Sequence, residues 1–230
     1  MAETQASVIA PVFPLPNVVF FPHTFLPLHV FEPRYRAMVR AALEGDRRIV
    51  MVLAKEERPP SEWPSVHRLG TLGRIEFAEP LEDGRSNLVL QGLVRVELGD
   101  LEPRPEDARD PARWFAAHLA PRGEAVPDLQ DPRVVDAKTV LLMTARRYGE
   151  HVLSGRYPAD LLTDEAPYAT LVNQAATMLR ARMEEKQALL ALDDVGERAE
   201  AVERALAAQI AAQRTVGRFR ERRPEDFRRN

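Results

Sequence analysis

The residues able to do chemistry are few, and their spacing argues against most reactions. The five histidines, His23, His29, His67, His118 and His151, show neither H-x-x-x-H nor H-E-x-x-H spacing, so no helix face offers two imidazoles to one metal ion. His23 and His29 lie six apart, which would place them on one face of a straight strand, but Pro27 between them disturbs that register. Gly84-Arg85-Ser86 begins a G-x-S-x-G nucleophile turn, yet Leu88 stands where the second glycine belongs, and Ser86 reads as a turn residue. No glycine is followed by lysine, which removes the G-x-x-x-x-G-K-[ST] phosphate loop. The adjacent carboxylates Glu56-Glu57, Glu184-Glu185 and Asp193-Asp194 point in different directions on a helix and read as capping or solvated groups. Cysteine is absent, so disulfides, thiolate zinc sites and thiol catalysis are excluded. No catalytic residue, metal site or cofactor is therefore assigned.

What remains is chemistry of contact. Phe20, Phe21, Phe25, Phe31 and Tyr35 crowd one stretch that also holds Pro22, Pro27 and Pro33. Most of these rings must be core, because phenylalanine prefers burial. A chain so interrupted by proline cannot pair all its backbone, however, and an unpaired edge beside apolar surface accepts a peptide by strand addition. Phe21, Phe25, Phe31, Arg34 and Tyr35 are the candidate peptide-binding residues. Glu32 and Arg36 read as a helix-end cap and its i,i+4 partner. The C-terminal stretch RTVGRFRERRPEDFRRN is arginine-rich and carries Phe219 and Phe227, a composition that suits an acidic partner, single-stranded RNA or a frayed end.

The elements that must position these residues follow from periodicity. Short strands are expected at 9–13 and 25–30, between prolines that cannot sit in mid-ladder. Tyr35, Met38, Val39, Ala42 and Leu43 repeat at helical spacing, Pro33 suits a first turn, and Gly45 suits a left-handed cap, giving a helix over 33–44. Residues 47–54 return as a buried strand. Segments 56–65 and 100–111 are polar loops. Asp83-Gly84 marks a hairpin turn between two strand runs, Gly92 marks a bulge or bend, and RWFAAHLAP offers a last strand. The period then changes. Asp131 with Pro132 opens a helix to about Tyr148, a loop covers 149–164, and a second helix starts near Glu165. EEKQALLAL forms a short third helix. Asp194 with Glu197 opens a fourth, whose buried stripe is Val195, Ala199, Val202, Leu206 and Ile210. The fold class is α+β: residues 1–120 a β-rich, barrel-like domain, residues 121–230 a helical bundle.

Composition bounds the partners. The 230 residues are 45% hydrophobic and 29% charged with a net charge of −3, and neither half is basic enough for a dedicated nucleic-acid binder. Prolines 11, 14, 16 and 22 break the N-terminus, so neither a signal peptide nor a membrane span is expected, and the cytoplasm is the default location. The oligomeric state is left open.

Together these residues carry a resemblance. Pro14-Leu15 through Val18, Val19, Phe21 and Pro22, then Pro27, Leu28, Val30, Phe31, Glu32, Pro33, Arg34 and Tyr35, are similar to the opening of the amino-terminal, substrate-binding domain of Lon proteases. The family includes small proteins that carry this domain without the protease. Leu69-Gly70 through Ile75, and Asp83-Gly84 through Gly92 and Arg95, resemble its later segments, and KQALLALDDVGERAEAV resembles the end of its helical part. The likeness covers most of the chain and is weakest over 100–165. It implies a PUA-like β-barrel followed by a helical bundle, and a non-enzymatic module that binds unfolded or degron-like polypeptide. Lacking the phosphate loop and any Ser–Lys protease context, the chain is expected to hydrolyse neither ATP nor peptides. An RNA-binding PUA-like module and a hydrolase with an inter-domain site are the alternatives.

Overall fold

The structure, a computed structural model, describes residues 8–56, 63–105, 110, 112–154 and 162–221, with side chains to residue 215. Parts of the expected loops at 56–65, 100–111 and 149–164 lie outside the described residues, as do the tail beyond 221 with Phe227 and the side chain of Phe219. Two compact units emerge. The first joins residues 1–124 to residues 181–193, and the second joins 125–180 to 194–230.

The first unit is built on strands β1 (Val8–Leu15), β2 (Phe25–Val30), β3 (Arg48–Ala54), β4 (Val66–Pro80), β5 (Ser86–Arg104) and β6 (Trp114–Pro121). The sheet order is β2-β5-β4-β3-β1-β6, and β5 also pairs with β6. Five strands thus close into a ring, while β2 hangs on the outside, with β5 as its one strand neighbour among the described residues. The nineteen-residue β5 makes this possible, because one of its edges serves β2 over 86–91 and β6 over 96–104. Gly92 sits at the changeover. Leu72 pairs with Val94 and Gly73 with Gly92, so Leu93 is the extra residue of a bulge. A Cβ on Gly92 would stand 2.4 Å from the Phe21 carbonyl oxygen, so no other residue fits.

Helix α1 (Pro33–Glu44) has the expected bounds and turns Tyr35, Met38, Val39 and Ala42 into the core. Its ends differ from expectation. Gly45 has φ −100° rather than a left-handed value, and its N–H closes onto Ala41 and Ala42; Arg47 (φ 62°) makes the left-handed turn instead. Glu32 makes no capping bond and pairs with Arg34 at 2.9 Å, not Arg36. Asp83-Gly84 does form the turn, with Gly84 at φ 79°.

Helix α4 (Met183–Ala191) completes this unit, although periodicity placed it among the later helices. Buried polar groups hold it there. Arg95, fully buried, donates to the carbonyls of Leu190 (2.9 Å) and Leu192 (3.0 Å) and pairs with Glu124 and Asp193, both at 3.0 Å. Arg122 grips Asp193 at 2.7 Å and Glu97 at 2.6 Å, and Gln187 donates to the Leu69 carbonyl at 3.0 Å. Hydrogen bonds from Arg122 first, and from Arg95, hold the Asp193 carboxyl down to about 2.

In the second unit α2 (Pro132–His151), α3 (Tyr168–Met178) and α5 (Val195–Glu221) pack on one another. Asp131 caps α2 by accepting from the Arg133 N–H, and Asp194 caps α5 by accepting from Gly196 and Glu197. Helix α3 starts three residues later than expected because Pro167 keeps Ala166 out of helical geometry. The expected α5 stripe of Val195, Ala199, Val202, Leu206 and Ile210 is buried throughout. Fully buried Arg198 donates to Asn173, and the Tyr148 hydroxyl donates to Gln209 while accepting from the Arg180 N–H.

Candidate functional site

Strand alternation decides which aromatic rings reach the surface. Along β2, Leu26, Leu28 and Val30 turn inward onto the core, so Phe25, Pro27 and His29 turn outward, and Phe31 follows them. Phe25 is 58% and Phe31 60% exposed. His29 stacks on Phe31 at 6.3 Å and shares a 2.9 Å hydrogen bond between its Nδ1 and the Asn87 Oδ1.

The other three candidates face the interior, a correction to the expected edge. Phe21 is fully buried beneath the Gly92 bend, and its carbonyl accepts from the Thr24 hydroxyl at 2.7 Å. Tyr35 packs on Phe13 with ring centres 4.3 Å apart, and burial pushes its phenol up to about 12. Arg34 lies over Tyr35 at 4.6 Å and, 8% exposed, belongs to the wall rather than the surface. The first turn of α1 lies against the sheet, which explains both placements.

A residue outside the expected set joins the outer face. Phe77, 54% exposed, pairs with Val89 of β5, whose opposite neighbour in β2 is Pro27. Simple alternation would put Phe77 inside with Ile75. Ile75 pairs with Leu90 and Phe77 with Val89, so Glu76 is an extra residue, and that bulge flips Phe77 outward. Nothing in the sequence marks a bulge that lacks glycine.

The result is a three-strand outer face with Phe25 and Pro27 on one strand and Phe31 just past its end, Val89 between, and Phe77 on the far strand. Its rim is polar. Arg74 donates to Gln91 (3.1 Å) and Glu76 (2.6 Å), and Asn87 donates to Glu79 (2.9 Å). The outer edge of β2 has no strand partner among the described residues. Among the described residues no cluster of three or more His, Asp or Glu could hold a metal ion, and no helix is long and apolar enough to cross a membrane.

Among the described residues a six-stranded sheet and five helices, with an apolar outer face beside a strand edge, define a mixed α+β protein. Residues 9–208 match the family model of the ATP-dependent protease La (LON) substrate-binding domain, and the chain belongs to that family. It is similar to the Lon protease of Xanthomonas oryzae pv. oryzae, 30% identical over 228 residues, and to that of Escherichia coli K12, 27% identical over 230 residues. Each alignment covers 96% of this chain but only 26% and 27% of the relative, so the chain spans about a quarter of their length. The N-terminal domain of the Mycobacterium avium complex Lon protease superposes with a TM-score of 0.61 at 18% identity, covering 87% of this chain and 98% of that one. The Lon N-terminal domain protein of Xanthomonas campestris gives 0.56 at 23% identity, covering 84% and 95%. These last two likenesses speak for the fold.

Proposed function

We propose that this protein binds polypeptide segments on the outer face of β2, β5 and β4, using the open edge of β2 for main-chain hydrogen bonds and Phe25, Phe31 and Phe77 as apolar contacts. The observation that carries the reading is the coincidence of three exposed phenylalanines with an unpaired strand edge in a member of the Lon substrate-binding family. An added strand presents alternate side chains to one face, so segments with apolar residues at every second position fit best. Unfolded chains expose such segments and folded ones hide them. Within this reading the closed sheet is a PUA-like barrel, α2, α3 and α5 are the family's helical bundle, residues 1–120 and 121–230 are the sequence-level halves, and the chain works in the cytoplasm without hydrolysing ATP or peptide bonds.

The test is a binding assay with a fluorescently labelled, permanently unfolded client and the triple variant Phe25→Ser, Phe31→Ser, Phe77→Ser. Three lost apolar contacts are expected to weaken binding at least about a hundredfold, while thermal stability holds because all three rings are exposed. Undiminished binding by the triple variant would remove this face from consideration.

A further inference from the structure

The second unit carries an unfilled groove of its own. Helices α2 and α5 run side by side in the same direction: Ala137 and Val140 share one cleft with Ala199 and Glu200, while Thr144 and Arg147 share the next with Ile210 and Arg214. The two clefts measure about 330 and 340 Å³. Val140, 51% exposed, lines the first cleft, and Met143, 66% exposed, lies beside it on α2 in an adjoining depression shared with Val140, Thr144, Arg147 and Glu150; both are large apolar side chains with nothing over them among the described residues. The charge along the groove is polarised. Glu200 and Glu203 stand near the start of α5, with Glu203 accepting from the Thr144 hydroxyl at 3.2 Å and Glu200 only loosely paired to Arg204 at 3.7 Å. Arg147 and Arg214 stand at the opposite end, and no ion pair among the described residues engages either; Glu150, one turn beyond Arg147, is the acidic residue nearest in sequence.

We infer that this groove docks an amphipathic helix of a partner polypeptide, with acidic residues in its first turns and basic residues in its last. An apolar stripe on such a helix would cover Val140 and Met143. Its acids would meet Arg147 and Arg214, and its bases would meet Glu200. That charge order is the one a helix favours for itself, since its dipole stabilises acids at the start and bases at the end. The occupant therefore lies antiparallel to α2 and α5. The site is independent of the outer sheet face, which selects extended segments.

The probes are two synthetic eighteen-residue helices with an identical leucine face. One carries Glu in its first two turns and Lys in its last two; the other has the charges exchanged. Fluorescence anisotropy against the full chain is expected to show about tenfold tighter binding of the first peptide. The double variant R147E/R214E should reverse that preference, and V140D/M143D should abolish binding of both peptides. The triple phenylalanine variant of the sheet face should bind as the wild type does. All substituted side chains on the groove are solvent-facing, and melting curves check that each variant folds. Equal affinity for the two peptides, no binding of either, or binding lost through the sheet-face variant would each overturn the inference.

Discussion

At the scale of single residues, burial separates phenylalanines that the sequence presents as equals. Phe21 and Phe31 sit ten positions apart in the same proline-broken stretch, yet one is fully buried and the other 60% exposed. Phe21→Ala should therefore cost about 3–5 kcal/mol of unfolding free energy, and Phe31→Ala within about 0.5 kcal/mol, both read from urea titrations. Gly92 gives a sharper case. Its added methyl would meet backbone rather than a yielding side chain, at 2.4 Å, so the changeover from β2 to β6 must move. Gly92→Ala is expected to destabilise by about 3 kcal/mol, measurable by the same titration. The wrongly expected surface roles of Arg34 and Tyr35 have a plain origin. A sequence shows that a helix begins at Pro33, but not which way its first turn is rolled against the sheet.

At the scale of elements, helix bounds were largely legible because proline, acidic caps and apolar spacing agree with one another. Pro33, Asp131 and Asp194 each mark a start that the structure keeps. The bulge at Glu76 was not legible, because an extra residue in a strand leaves no mark when its neighbours are ordinary; it is also what brings Phe77 to the candidate face. The attachment of α4 was hidden for another reason: periodicity reports that a helix has a buried side, not what buries it. Beside buried Leu190 and the neutral Gln187 bond, its docking has an ionic part through Asp193 that depends on pH. Asp193 has a folded-state carboxyl held down to about 2 by Arg122 and Arg95, against an ordinary value near 4. Its contribution is complete above about pH 4 and is lost as the pH falls toward 2. Asp193→Asn should lower stability at neutral pH and flatten the loss between about pH 4 and 2, followed by denaturant midpoints across that range.

At the scale of the whole molecule, the first unit is discontinuous in sequence. Residues 181–193 supply the carbonyls of Leu190 and Leu192 and the carboxylate of Asp193 to a fully buried guanidinium on β5. A fragment ending at residue 124 contains every strand but strips Arg95 of those acceptors, and an under-satisfied buried charge costs about 3–5 kcal/mol. Such a fragment is expected to lose its cooperative melting transition, although its strands and hairpin turn are intact. The same arrangement orders events during synthesis. A nascent chain that has delivered all six strands and Glu124 still lacks the Leu190 and Leu192 carbonyls and the Asp193 carboxylate that complete the partners of Arg95, so the β half must wait on the ribosome for more than half again its own length. Ribosome-bound chains arrested before residue 181 should then be cut readily by protease, and protection should arrive in one step once residue 193 has cleared the exit.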